Sequence, residues 1–383
     1  MKSPSSVTVL STADFDSAVW TNKQHLAVGL ADDLHVNYIE SLGLRRPGVN
    51  RSDLERVARK LGRRTSAAPA GESRQRPPNL HVLTPLAIPF HGSQAVRRAN
   101  QTLVRYSIQR KINRSRDQGV LWTFSPLTYG LEDTHSHTVY HSVDLLHELP
   151  GVPREALLEA EARLLDRADV VVASSEVVKQ HLQVSSGRND VLLWENVAHT
   201  DIFADQGEQK MARAIFAGNL TPSKLDFELI RDTAQQGVPV TLAGPIAVDG
   251  AGGGIEIAEL LKHPLITYVG NLDLAALAAQ IRTAMVGLVP YKVNGYTAGV
   301  FPMKVYEYLA GGLAVVSTAL PSLENKQIIG LDIVSREKFA STVSSTIAGF
   351  DHAGAEVRSG SAARYSWKNR LAEARVLLGE LNG

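Results

Sequence analysis

The chain contains no cysteine. Disulfides and thiolate metal sites are therefore excluded. It also lacks any apolar run near the ~20 residues needed to cross a bilayer. Residues 1–6 do not have the charged-then-apolar layout of a signal peptide, and the first apolar run is only Val7 to Leu10. The expected setting is the cytoplasm. Net charge is nearly absent, at +1. Basic residues are not interleaved with aromatics, and no nucleic-acid motif is present, so nucleic acid is not an expected partner.

Charge is present locally where it is missing overall. Between Arg45 and Arg116 there are 17 Lys or Arg against three acids, Asp53, Glu55 and Glu72. Clusters include Arg45-Arg46, Arg59-Lys60, Arg63-Arg64, Arg97-Arg98 and Arg110-Lys111. A plain solvated surface is one reading. The other is attraction to an anionic membrane face or to a phosphate-bearing, lipid-linked acceptor. That reading sets the protein at the inner face of the plasma membrane.

With 383 residues the chain exceeds one usual core, so two domains are expected. Strand patterns fall at 7–10, 36–39, 80–84, 120–124, 138–140, 170–173 and 191–193, with helical patterns at 22–31, 53–61, 93–113, 154–167 and 176–182. The second half repeats the rhythm: strands at 214–216, 240–243, 266–269, 285–289 and 313–317, and helices at 224–235, 272–283 and 302–310. Residues 64–78 and 249–254 read as loops, and 367–381 as a final helix. Such alternation predicts two doubly wound, mostly parallel α/β sheets, with the boundary between about Asn196 and Met211.

The most informative stretch is FPMKVYEYLAGGLAVVST, residues 301–318. Pro302 suits the first helical position. Gly311 and Gly312 supply a left-handed stop, and an apolar strand follows. Lys304 lies in the first turn, where side chains lean toward the positive helix end, so it suits a phosphate. Glu307 is one turn deeper on the same face and could accept hydrogen bonds from sugar hydroxyls. A surface ion pair is the bland alternative for this spacing. The preceding strand, ending in Val289-Pro290-Tyr291, and a loop with Gly295 and Gly299 favour the ligand-binding reading: strand, glycine loop, helix start.

These residues resemble a known family. The pattern Pro-Tyr, loop, then Pro302, Lys304, Glu307-Tyr308-Leu309-Ala310 and Val315-Val316-Ser317-Thr318 is similar to the donor segment of GT-B-fold glycosyltransferases of bacterial polysaccharide pathways. Further likeness lies in Phe216 to Leu220 with Lys224, in Tyr268-Val269-Gly270, in Tyr140 to Asp144 with Glu161 and 168–175, and in Trp194-Glu195-Asn196-Val197 with Asp201 and Phe203. Asp14-Phe15 and the Pro302-Met303-Lys304 triplet resemble xanthan-type glucuronosyltransferases. The resemblance implies two Rossmann-like domains with an interdomain cleft. It implies an acceptor domain at 1–200, a donor domain at 201–365 and a helix at 366–383 crossing back. The implied reaction moves a sugar from a nucleotide-diphosphate sugar, UDP-sugar favoured, to an acceptor hydroxyl, with no cofactor and no metal.

Within that reading the donor site is expected to comprise Gly218, Asn219, Lys224, Gly244, Tyr291, Thr297, Gly299, Met303, Lys304 and Glu307. The amides of 297–301 and the two lysines would hold the diphosphate. Retaining members often carry a second Glu eight positions before the one matching Glu307; here Gly299 stands there, which favours inversion. An inverting transfer needs a general base, and Asp144, just past a strand, is the candidate, with a helix cap as its alternative role. Asp14, Asp16 and His141 are expected on the acceptor side. Asp14-Phe15-Asp16 mimics a metal-binding D-x-D, but that motif belongs to another glycosyltransferase fold. His135, His137, His141 and His147 fit no zinc spacing. A nucleotide-sugar epimerase, a hinged two-domain binding protein and glycosylation of a small soluble acceptor are the alternatives.

Overall fold

The computed structural model describes residues 4, 6–17, 19–44, 76–112, 119–246 and 253–382. The expected helix at 53–61, most of the loops at 64–78 and 249–254, and three of the five basic clusters lie outside the described residues. The described chain divides into two compact units. One holds residues up to Ser174, Val178–Trp194 and Glu373–Gly383; the other holds Ser175–Val177 and Glu195–Ala372.

The first unit carries strands β1 (Ser6–Leu10), β2 (His35–Ile39), β3 (Leu80–Leu83), β4 (Val120–Thr123), β5 (His137–Ser142), β6 (Val170–Ala173) and β7 (Leu192–Leu193). They form one sheet in the order β3-β2-β1-β4-β5-β6-β7. All its pairings are parallel. Its helices are α1 (Asn22–Leu30), α2 (Gln94–Ile112), α3 (Arg154–Leu165) and α4 (Glu176–Ser186). Central strands buried on both faces read as unbroken apolar runs, as in the Val170–Ala173 strand. Leu10, Ile39 and Leu121 pack with Val104 and Ile108 of α2. Tyr140 and Val171 pack with Leu164 of α3 and Leu182 of α4.

The second unit carries β8 (Met211–Ala217), β9 (Val240–Ala243), β10 (Ile266–Tyr268), β11 (Ala284–Val289), β12 (Ala314–Thr318) and β13 (Leu331–Val334). Their order is β10-β9-β8-β11-β12-β13, again all parallel. Its helices are α5 (Phe227–Gln235), α6 (Gly253–Leu260), α7 (Leu274–Arg282), α8 (Lys304–Ala310), α9 (Phe339–Ala348) and α10 (Gly354–Ala362). A last helix, α11 (Trp367–Leu381), begins among residues of this unit and ends among those of the first. Asp226 caps α5 by accepting from the Glu228 amide, and Asp273 caps α7 by accepting from the Ala276 amide.

One packing detail sets the position of α8. A Cβ at Gly287 of β11 would lie 2.2 Å from the Tyr308 ring. Only glycine there lets the helix lie this close to the sheet. The Ala217 amide at the end of β8 donates to the Tyr308 hydroxyl at 2.8 Å. Helix α8 is thus pinned across β8 and β11 before any ligand is considered. It ends as expected, although only Gly312 is left-handed (φ +76°). The Leu313 amide reaches the Tyr308 carbonyl and the Gly312 amide reaches Leu309, which is a Schellman stop.

Several boundaries differ from the sequence reading. Helix α5 starts at Phe227, not Lys224, because Leu225 bridges to Tyr291 and Asp226 takes the cap. Helix α8 starts at Lys304 rather than Pro302. Strand β13 and helices α9 and α10 had no sequence signal. The Ser- and Thr-rich FASTVSSTIA and the glycine-bearing GAEVRSGSA have low helix propensity, so tertiary packing decides them.

Candidate functional site

In an open parallel sheet, ligands bind beyond the carboxyl ends where the strand order reverses. In the second unit that point lies between β8 and β11. Gly218 follows β8 and Tyr291 follows β11, and helix α8 begins beside them. The chain segments here are stitched together by backbone. The Lys292 amide donates to the Lys224 carbonyl, and the Asp226 amide donates to the Pro290 carbonyl, each at 2.9 Å.

Two ammonium groups converge at this point. Lys224 Nζ lies 4.6 Å from the Tyr291 ring centre. Lys304 Nζ lies 5.6 Å from the same ring and 5.4 Å from that of Phe216. A Cβ on Gly218 would come within 3.1 Å of Lys304 Nζ, so the absence of a side chain leaves that charge accessible. Gly218 also has φ +146°. Gly244, at the end of β9, is tighter still: a Cβ there would meet the Gly218 carbonyl at 2.3 Å. The two glycines let strand-end backbones pass almost in contact.

The electrostatics report a concentration of positive charge. Burial alone would push the Tyr291 hydroxyl up, but Lys224 and then Lys304 beside it hold it below the ordinary tyrosine value. Burial opposes the charge of Lys304, yet Tyr291 and Glu307 outweigh it and hold the ammonium above its ordinary value. Burial raises the Glu307 carboxyl, and Lys304 offsets this in part. Lys304 and Glu307 each keep part of their surface exposed. Their roles as anion and hydroxyl partners are therefore sterically open. Asn219 is exposed, Met303 is half-buried and Tyr291 is buried.

The loop before α8 corrects one expectation. The amides of 297–300 are not available to a phosphate. Thr297 N–H donates to Asn294 Oδ1, Ala298 N–H to the Asn294 carbonyl, and the amides of Gly299 and Val300 to the Thr297 carbonyl. The fully buried Thr297 hydroxyl donates to the Lys292 carbonyl at 2.5 Å. Thr297 and Gly299 thus shape the loop, and their amides are already taken. The amides with no intrahelical acceptor are those of Met303 and Lys304.

Three residues that shape this loop were missed as site residues. Ser175 Oγ donates to the Gly299 carbonyl at 2.9 Å, Ser322 Oγ to Val300 at 2.6 Å and Asn196 Nδ2 to Phe301 at 2.7 Å. Three successive peptide planes are therefore held by side chains, which fixes where α8 begins. Ser175 and Asn196 lie within the motifs that carried the family resemblance. Nothing in the sequence distinguished Ser322.

In the first unit the order reverses between β1 and β4. Asp14 and Asp16 follow β1. Asp16 pairs with Arg76 at 2.9 Å in an exposed bridge. The Asp14 carbonyl accepts from Ser17 and from Gln24 Nε2. Glu40, buried at 3% exposure, anchors this turn: its carboxylate accepts from the Phe15 amide and the Thr84 hydroxyl. It too was missed. Asp144 lies just beyond β5 and is half-buried. Leu145, not Asp144, occupies the N-cap position of the short turn Leu146–Glu148.

The histidine group separates. His135 Nδ1 meets the Leu131 carbonyl at 2.8 Å, and His137 faces Asp169. His141 is buried among Phe124, Trp194 and Trp122, with ring centres 4.9, 6.1 and 6.2 Å away. His147 instead meets His181 and Glu161, from other elements.

No family model matches the sequence. A protein of Bacillus subtilis (strain 168) named as the teichuronic acid biosynthesis glycosyltransferase TuaH is 29% identical over 221 residues, 54% of each chain. The match thus spans about half the length of that curated relative. Among solved structures, sucrose-phosphate synthase from Thermosynechococcus elongatus has a TM-score of 0.71 at 16% identity, covering 98% of both chains. Anabaena HepE, solved in complex with UDP, has a TM-score of 0.65 at 13% identity, covering 98% of this chain and 99% of that one. These likenesses show the fold: the chain has the GT-B architecture of two Rossmann-like units, as the motifs implied.

Proposed function

We propose that this GT-B chain is a glycosyltransferase that moves a sugar from a nucleotide-diphosphate donor to an acceptor hydroxyl in bacterial cell-surface glycan synthesis. The observation that carries the reading is the convergence of Lys304 and Lys224 on Tyr291 at the switch point of the second sheet. The UDP held by the similarly folded HepE and the glycan named for TuaH support the choice of a UDP-sugar and a polysaccharide pathway.

The roles follow from the chemistry. As the bond from the anomeric carbon to the diphosphate breaks, negative charge builds on the leaving oxygen. Fixed ammonium groups at Lys304 and Lys224 stabilise that charge more than they stabilise the ground state. The first amides of α8 add to the field. Gly218 and Gly244 admit the phosphates against backbone, Glu307 accepts from ribose hydroxyls, and Met303 and Asn219 border the nucleoside. Two lysines do the neutralising that a divalent cation would do elsewhere, so donor chemistry needs no metal or other cofactor.

On the acceptor side Asp144 acts as general base of an inverting transfer. Its place past the end of β5 and the glycine at 299 support this reading. Asp14, Asp16 and His141 contribute to the acceptor region at the same carboxyl edge of the first sheet. Exposed Ile88, Phe90 and Tyr106, with exposed Arg98 and Lys111, support peripheral contact with an anionic membrane carrying a lipid-linked acceptor. Among the described residues no helix is long and apolar enough to cross a membrane.

The test is a thermal-shift panel of UDP, GDP, dTDP and CDP. A ligand of the native state raises the melting temperature in step with its affinity. A shift with UDP above the others supports the reading. No shift with any nucleotide would remove it.

A further inference from the structure

His147, Glu161 and His181 form a cluster that the transfer reaction does not use. They come from three elements of the first unit: the short turn Leu146–Glu148, helix α3 and helix α4. One donor atom of each lies within 4.8 Å of the others. The side chains are 8%, 9% and 23% exposed, so this is an interior notch with one wetter side. From these residues we infer a divalent metal site of the zinc class, with two imidazoles and one carboxylate as ligands.

The donor set suits zinc, which takes imidazole nitrogen at about 2.0–2.1 Å and carboxylate oxygen at about 2.0–2.2 Å. Tetrahedral ligands at those lengths stand roughly 3.3 Å apart. The present His181 Nε2 to Glu161 Oε2 distance is 2.7 Å, a hydrogen bond that a metal would open slightly. The wider separations in the cluster would close by about 1 Å or somewhat more. Magnesium, which prefers oxygen ligands and keeps its waters, is disfavoured.

The surroundings are those of a built ligand set. The Tyr140 hydroxyl donates to Glu161 Oε1 at 2.5 Å and fixes the carboxylate, leaving Oε2 for the cluster. Such outer partners orient first ligands and hold their geometry. The His147 and His181 rings lie 4.7 Å apart, tilted by 35°. Glu148 Oε1, 3.4 Å from His147 Nε2 and paired with Arg154, stands next to the cluster.

The site is structural. The turn carrying His147 follows Asp144 directly, so a bound metal would fasten the Asp144 segment to α3 and α4. The His181–Glu161 hydrogen bond already joins α3 to α4 without it, so the metal adds stability to a fold that stands alone.

The experiment uses the full chain, stripped with EDTA and dialysed. Calorimetric titration with ZnCl₂ should show one equivalent bound, and zinc should raise the melting temperature by several degrees while MgCl₂ does not. Cobalt(II) should give the intense visible bands of a tetrahedral site. His181→Ala and, separately, His147→Gln, both checked as folded by circular dichroism, should abolish the zinc equivalent and the cobalt bands. His352→Ala, a control far along the chain, should change neither. Absence of stoichiometric zinc in the wild type would overturn the site. So would zinc binding that survives in a folded His181→Ala or His147→Gln variant.

Discussion

Replacing Lys304 by methionine removes a charge while keeping an apolar stem over Phe216 and Tyr291. A charge-assisted hydrogen bond from its ammonium to a phosphate oxygen contributes about 1.5–3 kcal/mol. At roughly 1.4 kcal/mol per tenfold, UDP binding should weaken by about 10- to 150-fold. The direct Coulomb attraction at 4 Å and an effective dielectric constant of 20 is about 4 kcal/mol, which caps the effect. Lys224→Met should weaken UDP binding as well, by about 1.5–3 kcal/mol if its ammonium makes the same kind of bond. The stability signature is separate. Burial already raises the Glu307 carboxyl and Lys304 is what offsets it. Without Lys304 the Glu307 carboxyl should rise further. A raised acid stabilises the fold fully below the ordinary glutamate range and loses that contribution as pH climbs through its folded value. Lys304→Met should therefore lose stability relative to wild type between pH 5 and pH 8, and Glu307→Gln added to it should remove that loss. Calorimetry with UDP at two salt concentrations, with melts at both pH values, reads both effects. Equal UDP affinity in wild type and Lys304→Met would refute the reasoning.

Four further outcomes are expected. Asp144→Asn keeps size but not the proton acceptor, so turnover should fall by ~10²–10⁴ with UDP affinity nearly unchanged; near-normal turnover would return Asp144 to a structural role, and NMR coupling constants of a product with retained anomeric configuration would exclude inversion. EDTA should leave UDP binding and turnover at 25 °C intact, whereas complete loss rescued by Mn²⁺ would redirect attention to Asp14 and Asp16. Gly244→Ala should lower the melting temperature and UDP affinity together, because its Cβ would stand 2.3 Å from the Gly218 carbonyl at φ +121°; a melt identical to wild type would contradict the close approach. Liposomes with anionic lipid should float with the protein at low salt and release it at high salt, and no flotation at low salt would favour a soluble acceptor.

Much of this was legible because the relevant physics is local. The apolar strands and the Schellman stop at Gly312 are written in consecutive residues. So is the run from Val289 through Glu307, which places a lysine after a switch-point strand. The rest depends on distant pairing. Thr297 and Gly299 looked like phosphate-facing loop residues, but their amides close a small capped turn through Asn294, which spacing alone does not show. Ser175, Asn196 and Ser322 meet at the loop before α8 from remote parts of the chain. Glu40 anchors the Asp14–Asp16 turn across a neighbouring strand. The four histidines close in sequence part in space because His135 precedes β5, His137 and His141 stand near its opposite ends, and His147 lies beyond it in the turn Leu146–Glu148. His147 finds its partners only after α3 and α4 fold against the sheet. Helix α9 forms from weak local sequence because it packs across β8, β11 and β12, and α10 because it packs against α8.

The central claim is transfer from a nucleotide-diphosphate sugar, and ³¹P NMR of the protein incubated with UDP-sugars and candidate acceptors tests it most directly. The account predicts that the diphosphate resonances of one donor are replaced by those of UDP, and that Lys304→Met slows the replacement. Donors that all remain intact, or that yield UMP and a sugar phosphate by cleavage within the diphosphate, would contradict it.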